Sequence, residues 1–147
     1  MALACGSVAL AGNGAPYPKE NVAEFVVEKL DVTTLPSTIR PKPEKKKKTF
    51  SDYGFVTLQL DKKTGLVEAI PGGSQINIRI LEQKTSGIYV CVERPDKNGT
   101  GARIQQVVLL KLKAASGLLR GTETFKEFDS CPAIGTEPDS GSDSYGM

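Results

Sequence analysis

Arg40, Lys42 and the run Lys45 to Lys48 place six cations within nine residues, and two aromatic rings, Tyr53 and Phe55, follow at strand spacing. Cations at this density can neutralise successive phosphates without reading a base sequence. Flat rings displayed on a strand are surfaces on which bases stack. The bland alternative is a solvated basic linker followed by two rings that pack on their own sheet. Other chemistry is restricted by composition. The chain has no histidine, so Ser-His-acid and Cys-His nucleophilic arrangements cannot be built, and the commonest general acid-base group is missing. Carboxylates alone can hydrolyse glycosides, and Glu68, Glu82 and Glu93 fall in strand-like segments. No two of them are singled out, and solvent-facing charge explains all three. Gly72, Gly73, Gly99 and Gly101 sit in turn contexts, without the strand-to-helix setting of a phosphate cradle. Three cysteines without metal-ligand spacing do not suggest a metal site. The expectation is a protein that is not an enzyme and carries no catalytic residue, metal or cofactor.

The hexapeptide Tyr53-Gly54-Phe55-Val56-Thr57-Leu58 resembles the aromatic strand motif of RNA-recognition and cold-shock domains. That resemblance implies a single-stranded nucleic-acid partner, with Arg40, Lys42, Lys45, Lys46, Lys47 and Lys48 on phosphates and Tyr53 and Phe55 under bases. It spans six residues, and Ser51-Asp52 stands where the family pattern has a basic residue and a glycine.

The elements that must position these residues are mainly β. In Gln75-Ile76-Asn77-Ile78-Arg79-Ile80, isoleucine alternates with polar residues, as in a half-buried strand. Ile88, Val90 and Val92 repeat the pattern, with Tyr89, Cys91 and Glu93 on the other face. Glycine-containing turns at short intervals divide the region into six expected strands: Tyr53 to Leu60, Leu66 to Ile70, Gln75 to Glu82, Ile88 to Arg94, Arg103 to Lys113 and Leu118 to Phe128. Connections this short predict a single antiparallel sheet domain, as a six-stranded meander, sandwich or small barrel. Before it, Asn21 and Glu24 form a capping-box pattern, and Val22, Phe25, Val26 and Leu30 follow at helical spacing, predicting one short N-terminal helix. The expected organisation is a flexible arm over 1–20, the helix with a Pro/Lys-rich linker over 21–48, a β domain over 49–130 and a disordered acidic tail over 131–147.

Val107-Val108-Leu109-Leu110 is apolar without alternation, which predicts burial on both faces. The second face needs a cover, from the helix, a second sheet or a partner subunit, so these four residues are the candidate protein interface. Cys91 and Cys131 are a candidate disulfide, worth about 4 kcal/mol by loop-closure entropy; two free thiols in a reducing compartment are the preferred reading. Met1 to Gly12 makes a poor signal peptide, although Ala2-Leu3-Ala4-Cys5-Gly6 resembles a lipoprotein cleavage site. Asn98-Gly99-Thr100 is a glycosylation acceptor pattern that matters only in a secreted protein. No apolar run is long enough for a transmembrane helix, and a soluble protein, intracellular in preference to secreted, is expected. Net charge is +2, but cations cluster before the sheet and carboxylates after it. Together these features favour a non-catalytic interaction module, an accessory or structural subunit that meets a protein partner or its own copy. A small single-stranded nucleic-acid binder is the alternative.

Overall fold

A computed structural model describes residues 17–69, 74–95 and 103–135. The arm before Tyr17 with Cys5, the Pro71-Gly72-Gly73 turn, the Asn98-Gly99-Thr100 pattern, Gly101 and the tail from 136 onward lie outside the described residues.

A helix α1 (Val22–Lys29) leads into a two-residue strand β1 (Leu30–Asp31) and a 3-10 turn (Val32–Thr34). Six further strands follow: β2 (Phe55–Leu60), β3 (Thr64–Ala69), β4 (Gln75–Lys84), β5 (Gly87–Arg94), β6 (Ile104–Lys113) and β7 (Leu118–Thr122). They form one sheet in the order β1-β7-β6-β5-β4-β3-β2, curled into a half-barrel. Strands β2 to β7 make the expected antiparallel meander. The sheet nevertheless has seven strands and is mixed, because β1 pairs with β7 in parallel, Leu30 beside Leu119 and Asp31 beside Arg120. A two-residue strand directly after a helix carries no periodicity of its own; tertiary pairing alone makes it a strand. The last expected strand also stops early, at Thr122 rather than Phe128.

Strand pairing fixes which face each residue takes. Ile76, Ile78 and Ile80 of β4, Ile88, Val90 and Val92 of β5, Val108 and Leu110 of β6 and Leu119 of β7 join one buried cluster. The helix contributes Val22, Ala23, Val26 and Val27 to it. Each fully buried aliphatic side chain stabilises the fold by roughly 1.5–3 kcal/mol. The capping box does not form: Asn21 is left-handed at φ 55° and its side chain makes no capping bond. Instead the Ala23 N–H donates to the Lys62 carbonyl at 3.1 Å, so the β2–β3 turn satisfies a donor that the helix start leaves open. The arm's end is also pinned: Tyr17 is buried, and its hydroxyl accepts from the Leu112 N–H at 3.1 Å.

The opposite face of the sheet is covered by the chain itself. After β7 the backbone turns back over β4, β5 and β6 as a strap. Cys131 is disulfide-bonded to Cys91, Ile134 forms a bridge with Gln105, and Arg79 donates to the Ser130 carbonyl at 2.7 Å. The Phe128 ring lies 5.6 Å from that of Tyr89, and Lys126 sits over both rings while pairing with Glu82 at 3.2 Å.

Candidate functional site

Prolines exclude helix and strand from the segment between the 3-10 turn and β2, yet the segment is held closely. Leu35, Ile39 and Phe50 are buried in the main core, and the Ile39 and Arg40 N–H groups both donate to the Pro36 carbonyl at 2.9 Å. The lysine run is built into a tight loop. Lys46 takes a positive φ of 70°. The Lys48 and Thr49 N–H groups donate to Asp52 Oδ2 at 2.9 and 3.1 Å. These bonds, the Lys48 N–H first and then that of Thr49, hold the Asp52 carboxyl below the usual aspartate range, because donors stabilise the ionised form. Val32 in turn donates to the Lys48 carbonyl at 2.7 Å, which ties the loop to the start of the 3-10 turn.

The eight residues of the basic-aromatic pattern separate within this frame. Arg40, Lys42, Tyr53 and Phe55 line one cleft of about 330 Å³, floored by Ile39 and Ile76. Lys45, Lys46 and Lys48 are exposed and do not line it. Lys47 pairs with Glu44 at 3.0 Å and lies 5.6 Å from the centre of the Tyr53 ring. Neither aromatic ring stands free as a stacking platform. Both pack against the core; Phe55 meets Phe50 edge-on with centroids 5.1 Å apart, and the Tyr53 hydroxyl accepts from the Glu44 N–H at 2.9 Å.

The cleft also holds a cation that sequence reasoning missed. Arg94, at the end of β5, donates to the Thr38 carbonyl at 3.0 Å and to Ser74 Oγ at 3.4 Å. Its place beside Arg40 depends on a contact between residues 56 apart in the chain, for which the local sequence holds no signal. Among the described residues Arg40, Lys42 and Arg94 make no ion pair.

A second feature lies at the sheet margin. Among the described residues β2 is the terminal strand, paired only with β3. A bulge between Thr57 and Gln59 shifts its register, so Val56 opposes Glu68 while Leu60 opposes Gly65. In a regular strand Val56, Leu58 and Leu60 share one face; the bulge divides them between the two faces. All three remain 40–50% exposed. Their alternation is visible in the sequence, but it reads equally well as a core-facing stripe.

Val107 to Leu110 lie in the interior of the sheet. Val108 and Leu110 face the main core, Val107 packs beneath the strap with Cys91 and Cys131, and Leu109 is half-buried. Cover for both faces therefore comes at least in part from this chain, while Leu109 stays half-buried and Val107 also lines an open cleft of about 790 Å³ beside the strap. Cys91 and Cys131 are joined rather than free. Among the described residues no group of three acidic, cysteine or histidine side chains is placed to hold a metal, and no helix is long and apolar enough to cross a membrane. Compared with known protein families, curated proteins and solved structures, the chain matches none.

Proposed function

We propose that the protein is a non-catalytic β module that works by protein contact, as an accessory or structural subunit, and that it makes its contact along the outer edge of β2. The observation that carries this reading is the character of that edge. All six residues from Phe55 to Leu60 are uncharged, and three of the four large exposed hydrophobics among the described residues, Val56, Leu58 and Leu60, belong to it. An edge strand presents unpaired N–H and C=O groups, and natural sheets ordinarily blunt such edges with charge. An open, uncharged edge suits strand addition, in which backbone bonds supply affinity and alternate side chains supply specificity.

Charge selects the occupant. The strand is flanked by Lys62 and Lys63 at one end and by the exposed Lys45, Lys46 and Lys48 at the other, and both flanks are net positive even with Asp61, Glu44 and Asp52 included. Antiparallel pairing of two copies would set basic flank against basic flank. The favoured occupant is an extended apolar segment of another protein with acidic residues on either side. Single-stranded nucleic acid has less support, since Tyr53 and Phe55 pack inward and Lys47 is already paired.

A photo-crosslinking residue at Gln59, in protein purified from its own source, tests the reading. A crosslink to a second polypeptide, abolished by Leu58→Lys, is expected. A strict monomer by light scattering with no crosslinked product would sink it, and a crosslink to a second copy would replace the acidic-flanked partner with a homodimer.

A further inference from the structure

We propose that the cleft between the Arg40 loop and the adjoining ends of β2, β4 and β5 is a binding site for a small organic anion, a flat apolar body carrying a phosphate, sulfonate or carboxylate group. The site is separate from the outer edge of β2, and the inference does not depend on the protein-contact reading.

Four observations converge on it. The first is charge. Among the described residues, Arg40, Lys42 and Arg94 line the cleft against a single carboxylate, Glu44, whose oxygen is already engaged by Lys47 at 3.0 Å. A concave wall of one sign over an apolar floor concentrates the field and draws counter-charge to it. The second is orientation. Both terminal nitrogens of Arg94 are held by neutral acceptors, the Thr38 carbonyl and Ser74 Oγ, so its guanidinium is fixed in place while its charge stays uncompensated by any described carboxylate. A guanidinium held in this way is prepared for an oxyanion, which can take two parallel N–H bonds. The third is the wall: Ile39 and Ile76 are buried at the base, and Tyr53 and Phe55 are half-buried beside them. Apolar lining with a few convergent polar groups is the ordinary composition of a small-molecule pocket. The fourth is size. At about 330 Å³ the cleft is at the small end of the range for such pockets, which suits one ring system with its acidic group and not a polymer.

Solvation alone accounts for Lys45, Lys46 and Lys48, which project from the loop. It accounts less well for Arg94, half-buried between two segments that it bridges.

Phenyl phosphate serves as the probe, titrated into the full chain at low ionic strength and followed by amide chemical-shift mapping. Shifts confined to the backbone around Arg40, Lys42, Tyr53, Phe55 and Arg94 are expected, together with binding that weakens as salt is raised. Arg40→Gln should weaken binding about tenfold, the effect of losing one charge-assisted hydrogen bond. Lys42→Gln should weaken it by a smaller factor, and Lys113→Gln, at the far end of β6, should leave it unchanged. Among the described residues the Arg40 and Lys42 side chains make no hydrogen bond or ion pair, so both variants should melt as the parent does. Phenol and inorganic phosphate separate the two halves of the ligand: either one binding as tightly as phenyl phosphate would overturn the proposal, as would shifts scattered over the surface or equal weakening by Lys113→Gln. Adenosine monophosphate in a parallel arm distinguishes a nucleotide from a simple aryl acid; tighter binding of either, lost in Arg40→Gln, supports the site.

Discussion

Cys131 is bonded to Cys91 across the face of the sheet that α1 leaves uncovered, with Cα atoms 5.8 Å apart and a separation of 40 positions along the chain. The bond closes the strap over β4, β5 and β6, and both cysteines are 2% exposed beneath it. Loop-closure entropy assigns a bridge of this span about 4 kcal/mol. Reduction, or the double change Cys91→Ser with Cys131→Ser, should therefore lower the thermal midpoint by on the order of 10 °C for a chain of this size. Circular dichroism melts with and without reductant measure this directly. Hydrogen exchange at Gln105 and Ile134, whose N–H groups each donate to the other's carbonyl at 2.9 Å, should accelerate before exchange in β4 and β5 does. Equal protection with the bond reduced would show that packing, not the bond, holds the strap.

Glycine makes two different demands here, and substitutions tell them apart. Gly87 opens β5 so close to β6 that an added Cβ would stand 2.8 Å from the Leu110 carbonyl oxygen and 2.9 Å from Leu109 Cδ1. A backbone oxygen cannot rotate away, so Gly87→Ala should cost up to about 3 kcal/mol through separation of the two strands. Gly54 has φ 82° with open space where a Cβ would go, so Gly54→Ala should cost only the left-handed strain, about 1 kcal/mol. Asn tolerates that backbone region, and Gly54→Asn should be milder still, whereas Gly87→Asn should be at least as damaging as Gly87→Ala. Chemical denaturation of the four variants provides the ranking, and a Gly87→Ala protein as stable as Gly54→Asn would contradict the strand spacing.

The contrast between these sites parallels what the sequence makes legible. Alternation in Ile76-Ile78-Ile80 and Ile88-Val90-Val92 puts each triplet on one face of its strand, and all six residues join the core, because the period of a strand is local and needs no knowledge of its neighbours. The continuous run Val107 to Leu110 correctly signals two covered faces, but the nature of the cover lies in a disulfide that spacing cannot decide. Leu30-Asp31 becomes a parallel strand only because Leu119-Arg120 is beside it. The Asn21-Glu24 pattern misleads for a related reason: the β2–β3 turn brings a carbonyl to the helix start, and the side-chain cap is not needed. In the cleft, Arg40, Lys42, Tyr53 and Phe55 come from one stretch and are visible together, while Arg94 arrives through the fold.

Asp52 offers a test of the lysine loop itself. Its carboxylate accepts the Lys48 and Thr49 N–H groups, and these two bonds, more than the charge of Lys47, hold its pKa below the usual aspartate range. A carboxyl whose folded pKa is depressed contributes stability that is fully present above the unfolded value, near 4, and is lost as pH falls through the folded value. Asp52→Asn should therefore reduce loop stability at neutral pH, and the gap between parent and variant should close only below about pH 4. In a titration followed by NMR, the Lys48 and Thr49 amide protons should move together, with a midpoint below that of an ordinary aspartate. Lys47→Gln should leave most of that depression intact, since backbone donors are its larger cause. A midpoint at the ordinary aspartate value, or one that returns there in Lys47→Gln, would show that the carboxylate does not hold the loop through its backbone.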